Sequence, residues 1–419
     1  MSNKLKKFWK SIGPGLVTGA SDDEPSAIAT YSIAGAKFGY SMLWVALFSL
    51  PLMISVQEMS ARIGRVSNKG LAGNMKKHYP RWMMISIAVL IVGANTINIG
   101  ADMSGMAQAV AMIAPLPEKL TAIAITLLIL GSILIFPYQK IFTVFKWLAL
   151  TLFAYVFASF TVHQDWPKIF YHLFVPTIVL SKEYFLILMA FLGTTLSPYL
   201  FFWQASQEVE EKIIEQCKPG YICRLKPATP EEIRAMDVDT RIGMSFSNLI
   251  TFFIITLTAA TLFRSGVTNI ETLRDAAEAL KPLAGNYAYS LFAIGILSSG
   301  FLAIPVLAGS AAYAIAEVFG WSGGFDKSFT KAKEFYVVII ASTIVGLSIP
   351  LLGLHPVKVL FFTSLLYAMI SPILIAIVIH MANNKKIMGD YSNDKRLNWF
   401  GYITFWIMAT CSILIFFLF

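Results

Sequence analysis

The chain has 419 residues, 57% of them hydrophobic and only 14% charged, with a formal net charge of +9 and a mean hydropathy of +0.67. A soluble domain carries about 25% charged residues, so this chain cannot clothe a water-facing surface, and its basic excess belongs in loops beside a membrane rather than on nucleic acid. Three cysteines make no disulfide framework; Cys217 and Cys223 share one loop without a histidine nearby and are expected to be free cytoplasmic thiols.

About 20 apolar residues cross a bilayer as a helix. Long continuous apolar runs, as opposed to alternating strands, select helices over a barrel. The expectation is an all-α integral membrane protein, a single transmembrane domain over residues 1–419. Eleven segments are predicted, near 11–35, 40–62, 82–112, 118–136, 140–163, 182–206, 240–263, 285–318, 335–353, 356–381 and 398–419. The first follows a basic start but has no small-residue cleavage pattern and carries three acids, so a cleavable signal peptide is not expected.

The first segment holds Ala20-Ser21-Asp22-Asp23-Glu24-Pro25-Ser26-Ala27 in its middle. One charged side chain at mid-bilayer costs about 2.5–3.5 kcal/mol, so three consecutive acids mark a cation site more readily than a wet vestibule. Carboxylates and unwound carbonyls are hard oxygen ligands, suited to Mg²⁺, Ca²⁺ or Mn²⁺. Glu24 before Pro25 fits the start of a second half-helix, whose dipole favours an ionised carboxylate. In the second segment Glu58 and Arg62 have i,i+4 spacing, which predicts a local ion pair. The third carries Asn95, Asn98 and Asp102, the last read as a stray relay or a structural acid facing the bundle. The sixth contains Gly193-Thr194-Thr195-Leu196-Ser197-Pro198-Tyr199. It is interrupted like the first, and paired interruptions point to an inverted-repeat transporter with its site at the breaks. Pro51, Pro305 and Pro372 lack such a run of polar residues and read as kinks. Residues 207–239 and 264–284 read as solvated connections, with Thr268 and Glu271 at capping-box spacing before a short helix carrying Leu273 and Leu280. In the tenth segment, Ser364 and Tyr367 are candidates for lining a permeation path.

With the N-terminus placed inside and the segments alternating, 25 of the 33 Lys and Arg fall inside. They include Lys4, Lys6, Lys7 and Lys10, six residues from Lys212 to Arg241, and Lys385 with Lys386. This bias obeys the positive-inside rule. It predicts a cytoplasmic N-terminus and an external C-terminus in a bacterial inner membrane.

These motifs carry a resemblance. Gly13-Pro14-Gly15, Glu24 to Thr30, Ala34 to Tyr40, Leu43-Trp44-Val45, Ser60 to Gly64, Leu192 to Tyr199 and Leu291 to Gly300 are similar to spans one, two, six and eight of Nramp metal transporters. The resemblance implies a LeuT-type fold of eleven helices, broken in helices 1 and 6. Two inverted five-helix repeats would span 11–163 and 182–381, with helix 11 at 398–419. It implies a divalent metal ion as substrate, no cofactor, a lipid bilayer as the surroundings, no nucleic-acid partner, and a monomer.

The departures from the family pattern are as informative. Where the family's first break reads Asp-Pro-Gly-Asn and its sixth Met-Pro-His, residue-by-residue matching puts Glu24 on the metal-binding aspartate. Ala27 then falls on the asparagine ligand, Ser197 on the methionine and Tyr199 on the histidine. The carbonyls completing the site would be those of Ser21 and Thr194, with Asp23 in the same metal set and Asp22, Tyr199, Asn95, Asn98 and Tyr367 along the path. Losing the thioether removes the soft ligand that favours transition ions, and smaller side chains leave room for Mg²⁺ that keeps part of its water. The pattern resembles the branch called Nramp-related magnesium transporters. Asn95 and Asn98 stand where the family places an Asp and a Glu for proton movement, and Trp203 where it places a histidine. None of the three titrates, so proton coupling is not expected. The expected function is secondary transport of Mg²⁺, with Mn²⁺. The alternatives are a proton-coupled Mn²⁺ or Fe²⁺ carrier and an organic-solute carrier, whose substrate carboxylate the acids at 22–24 would repel. A channel would differ by lacking slow, saturable turnover. No nucleophile or histidine-rich cluster in the spans suggests an enzyme.

Overall fold

The computed structural model describes residues 13–136, 138–217 and 225–418, and among them the chain is helical with no strand. In chain order the main helices are α1 (Pro14–Asp22), α2 (Pro25–Phe38), α3 (Leu43–Ser67), α4 (Leu71–His78), α5 (Arg81–Ile113) and α6 (Glu118–Ile135). Then come α7 (Tyr138–Ala149), α8 (Phe153–Thr161), α9 (Trp166–Phe174), α10 (Lys182–Thr195), α11 (Pro198–Gln216) and α12 (Pro230–Thr258). The last are α13 (Leu273–Ala277), α14 (Ala288–Phe319), α15 (Lys333–Leu351), α16 (Pro356–Asn383) and α17 (Lys395–Leu418).

Among the described residues, nine helical stretches are long and apolar enough to cross a membrane. Eleven segments were predicted, and the difference has two local causes. A 3-10 turn at Gly39–Met42 joins α2 to α3 in one stretch, Pro25–Ser67, and another at Leu150–Leu152 divides the fifth segment into shorter helices. The outer helices fit lipid: α6 exposes Leu120, Leu127 and Ile135, and α17 exposes Trp406, Phe416 and Phe417. In water such surface would be unfavourable by about 25 cal/mol per Å².

Both predicted breaks are present. Proline lacks an N–H and disfavours helical geometry in the residue before it. Glu24 is accordingly extended (φ −68°, ψ 168°), with Pro25 opening α2. Ser197 is likewise extended (φ −66°, ψ 120°) before Pro198 opens α11. By contrast α3, α14 and α16 continue through Pro51, Pro305 and Pro372.

Glycines set how closely the broken helices lie. A Cβ on Gly19 would stand 2.0 Å from the Gly243 carbonyl oxygen, and one on Gly243 would stand 1.9 Å from that of Gly15. α1 and α12 therefore cross backbone to backbone, the use membrane helices make of small residues. Gly193 brings α10 equally near to α16, where a Cβ would meet the Ser364 carbonyl oxygen at 2.1 Å.

Four expectations need correction. Of the stretch 207–239 expected as a solvated loop, both flanks are helical: α11 runs to Gln216 and α12 starts at Pro230. Glu208, Glu210 and Lys212 are buried. Glu210 accepts from the Tyr313 hydroxyl and the Phe325 N–H, while Lys212 Nζ donates to the Arg65 carbonyl at 2.9 Å. Internal partners, absent from a linear reading, keep these polar turns helical. Glu58 and Arg62 do not pair with each other. Arg62 Nε donates to Asp237 at 2.9 Å, and Glu58 pairs with Arg241. Contact between α3 and α12 offers both residues partners across the helix interface. The capping box forms from Thr272 and Asp275, four residues beyond the expected pair, and Leu273 and Leu280 are buried, so this part of the expected solvated connection is packed. Cys217 is disulfide-bonded, not a free thiol. Cys223 lies outside the described residues, as do Lys4, Lys6, Lys7, Lys10, Lys218 and Arg224.

Candidate metal centre at the two helix breaks

The breaks are tied together. The Tyr199 hydroxyl, in the first turn of α11, donates to the Ser21 carbonyl at the end of α1 (2.8 Å). Ser197 Oγ donates to the Thr194 carbonyl at 2.5 Å. Each carbonyl named as a ligand thus already accepts one hydrogen bond, and each keeps a second lone pair. Thr194 Oγ1 is buried without a partner.

Glu24 faces α5. Its Oε1 accepts from Ser26 Oγ at 2.6 Å and from Asn98 Nδ2 at 2.8 Å, while its Oε2 is buried with no partner. Asn98 Oδ1 is also unpartnered, and so are both oxygens of Asp102, one turn further along α5. Asp102 lies within electrostatic reach of Glu24 and of the Ser26 amide. Gly105 holds this face close, since a Cβ there would be 3.5 Å from that of Pro25. Asp22 and Asp23 turn the other way, toward Ser247 of α12 at 3.0 and 3.2 Å. All four acids are 0% exposed. Among the described residues none of them pairs with a Lys or Arg.

The candidates therefore divide. Glu24, Asn98, Ser21, Thr194, Ser197 and Tyr199 meet around the breaks, and Ala27, in the first turn of α2, supplies only a methyl group. Asn95 lies apart from this contact: its Nδ2 donates to the Leu307 carbonyl at 3.0 Å and its Oδ1 accepts from the Tyr367 hydroxyl at 3.2 Å. Tyr367 also packs its ring 5.7 Å from that of Tyr199. The Trp203 ring packs on Tyr313 and Phe325, and its Nε1 has no partner. Asp102 was legible as a residue but not as a neighbour of Glu24. Ser247 gave no signal, because a lone serine in an apolar helix is ordinary packing. His172 belongs to α9, where partial burial and the Lys168 charge lower its pKa.

Access is closed on both sides. Beyond the break along α2, Thr30 Oγ1 meets Ser364 Oγ at 3.0 Å and the Tyr31 hydroxyl meets Thr195 Oγ1 at 3.0 Å. Past this layer, Ile33, Lys37, Glu183, Ile187, Lys358 and Phe361 line a cavity of about 320 Å³. Lys37 and Glu183 form an ion pair there at 2.9 Å. On the opposite side Thr18 Oγ1 donates to Gln204 Oε1 at 2.5 Å, and Asp239 accepts from the N–H groups of Gly13 and Gly15 at 2.9 and 2.6 Å.

Chemically this is a pocket of hard oxygen acceptors whose buried carboxyl groups have no Lys or Arg partner among the described residues. Among the described residues no three His, Cys, Asp or Glu side chains are arranged to hold a metal ion. A cation here would meet a carboxylate, carbonyls and its own water, a donor set suited to an ion that keeps part of its hydration.

A family model, Nramp (natural resistance-associated macrophage protein-like), matches residues 15–418. A divalent metal cation transporter MntH from Caldanaerobacter subterraneus subsp. tengcongensis is 25% identical over 398 residues, 93% of this chain and 88% of the relative. An MntH from Agrobacterium fabrum is 27% identical over 320 residues, 71% of this chain and 64% of the relative. The solved manganese transporter of Eremococcus coleocola matches with a TM-score of 0.78 at 16% identity, over 97% of this chain and 87% of that chain. Mhp1, a nucleobase-cation-symport-1 family transporter, matches with a TM-score of 0.54 at 14% identity, over 96% and 91%. At such identities the solved structures speak for the fold alone, and they bear out the LeuT-type expectation. With all but its first fourteen residues and its last inside the family model, the chain belongs to the Nramp family.

Proposed function

We propose that the chain is a secondary transporter of divalent metal cations in a bacterial inner membrane, carrying Mg²⁺ and also Mn²⁺ by alternating access without proton flux. The N-terminus would be cytoplasmic and the repeats 11–163 and 182–381 would move against each other. The observation that carries this reading is the Glu24 carboxylate, sealed between the two breaks with one oxygen free. Ser21 and Thr194 contribute carbonyls, Ser197 a hydroxyl in place of a thioether, and Asp102 a second carboxylate toward the ion's water. The relatives described as divalent metal cation transporters support the class of substrate.

In a second reading, proton-coupled Mn²⁺ transport, the name of the Eremococcus protein favours the manganese part, and Asp102, a buried carboxyl one turn from Asn98, offers a group for the proton. Against it stand the amides of Asn95 and Asn98, which carry no exchangeable charge. Coupling is not required for uptake. A divalent ion crossing a 100 mV inside-negative potential gains about 4.6 kcal/mol at about 2.3 per charge, enough for a gradient of roughly a thousand-fold.

Selectivity tests the magnesium reading. In proteoliposomes Mg²⁺ is carried and Mn²⁺ competes with it. Ser197→Met restores a soft ligand and frees the Thr194 carbonyl from its hydroxyl contact. It shifts the preference toward Mn²⁺ or Cd²⁺, by a factor limited by the methyl group at Ala27. Preferential uptake of Mn²⁺ or Fe²⁺ by the unmodified protein, with Mg²⁺ excluded, would overturn this reading.

A further inference from the structure

The three acids of the first break are not one cluster. Asp22 ends α1, Asp23 caps it (φ −82°, ψ 47°) and only Glu24 is extended (φ −68°, ψ 168°), so the backbone turns between the acids. Glu24 accordingly meets Asn98 of α5, while Asp22 and Asp23 meet Ser247 of α12. The α12 side has a deficit of donors. Ser247 Oγ lies 3.0 Å from Asp22 Oδ2 and 3.2 Å from Asp23 Oδ1, yet a hydroxyl has one hydrogen and serves one acceptor at a time. Asp22 Oδ1 and Asp23 Oδ2 have no partner at all. The hydroxyl of Tyr155, from α8, is likewise buried without a partner and lies within electrostatic reach of Asp23.

We propose that this pocket is a second cation site, holding a divalent ion between Asp22 and Asp23, with Ser247 supplying a hydroxyl oxygen. Charge decides the class of ion. Two buried carboxylates without a basic partner are neutralised by one divalent cation, whereas a monovalent ion leaves one charge buried and unpaired, which is strongly unfavourable. Hard oxygens again suit Mg²⁺ or Mn²⁺. The pocket is preformed: Ser247 is one turn from Gly243, and Asp22 and Asp23 one turn from Gly19, so the backbone contact between these glycines fixes the gap. An ion there would clasp α1 to α12 at the break. The inference rests on the transport reading only for the choice of Mg²⁺ or Mn²⁺ among divalent ions.

The test is the number of Mn²⁺ ions bound to the full-length, detergent-purified chain, counted by electron paramagnetic resonance during titration. Wild type binds two. Asp22→Asn with Asp23→Asn binds one, and Glu24→Gln with Asp102→Asn retains the other. Anomalous scattering from Mn²⁺-soaked wild-type crystals checks the same claim without a variant that must fold, with one peak beside Ser247 and a separate peak beside Asn98. One ion per chain, with no peak beside Ser247, overturns the second site. If that single ion disappears in the Glu24→Gln, Asp102→Asn protein, the transport reading stands without it. A single ion that survives there, with its peak beside Ser247, makes the aspartate pair the sole site and overturns the Glu24 reading instead.

Discussion

Glu24→Ala abolishes divalent metal uptake while the protein still folds and purifies as wild type does. The change removes the carboxylate whose Oε2 is free at the junction of the breaks. Losing an outer hydrogen-bond partner of a metal ligand already reduces affinity by about 10–100-fold, and losing the ligand itself should exceed that. Ser26 Oγ and Asn98 Nδ2 lose an acceptor, but no basic residue is left unpaired and the buried acids Asp22, Asp23 and Asp102 lose a neighbour of like charge, so the fold persists. Tracer Mn²⁺ uptake into proteoliposomes, with thermal melting as the control for folding, makes the measurement. Uptake at the wild-type rate would assign the ion to another acid.

Gly243→Val acts on the fold. The added Cβ would stand 1.9 Å from the Gly15 carbonyl oxygen and 2.4 Å from its carbon, and backbone atoms cannot swing aside as a flexible side chain would. Overpacking typically costs about 1–3 kcal/mol, and a clash with main-chain atoms belongs at or above the top of that range. α1 must move off α12, carrying Asp22 and Asp23 away from Ser247. The expected result is a large loss of monodisperse protein and a lowered melting temperature. A variant that melts with the wild type would show that the glycine contact does not hold the helices.

The breaks were legible in the sequence because their physics is local. A proline, the residue it forces out of helical geometry and a run of acids in an apolar segment need no partner to be recognised. What the acids face was not legible. Asp102 looked like any acid in a helix until packing of Gly105 against Pro25 set its turn beside Glu24. Ser247 carried no mark of its own, and the division of Asp22 and Asp23 from Glu24 depends on which helices flank the extended residue. Ion pairs failed for the same reason: i,i+4 spacing finds Arg62 for Glu58, but α12 offers both residues partners across the interface. The helical turns through Glu208, Glu210 and Lys212 read as loop because their charges are satisfied by residues distant in sequence.

The absence of histidine at the breaks and the amides at Asn95 and Asn98 lead to the account's central claim, that metal moves here without protons. The measurement is metal influx into proteoliposomes holding a pH-sensitive dye, with the potential clamped negative inside and external Mg²⁺ or Mn²⁺ added. The account predicts influx of both ions with no internal acidification. Acidification that tracks metal influx and disappears in Asp102→Asn would contradict it and make the chain a proton-coupled carrier.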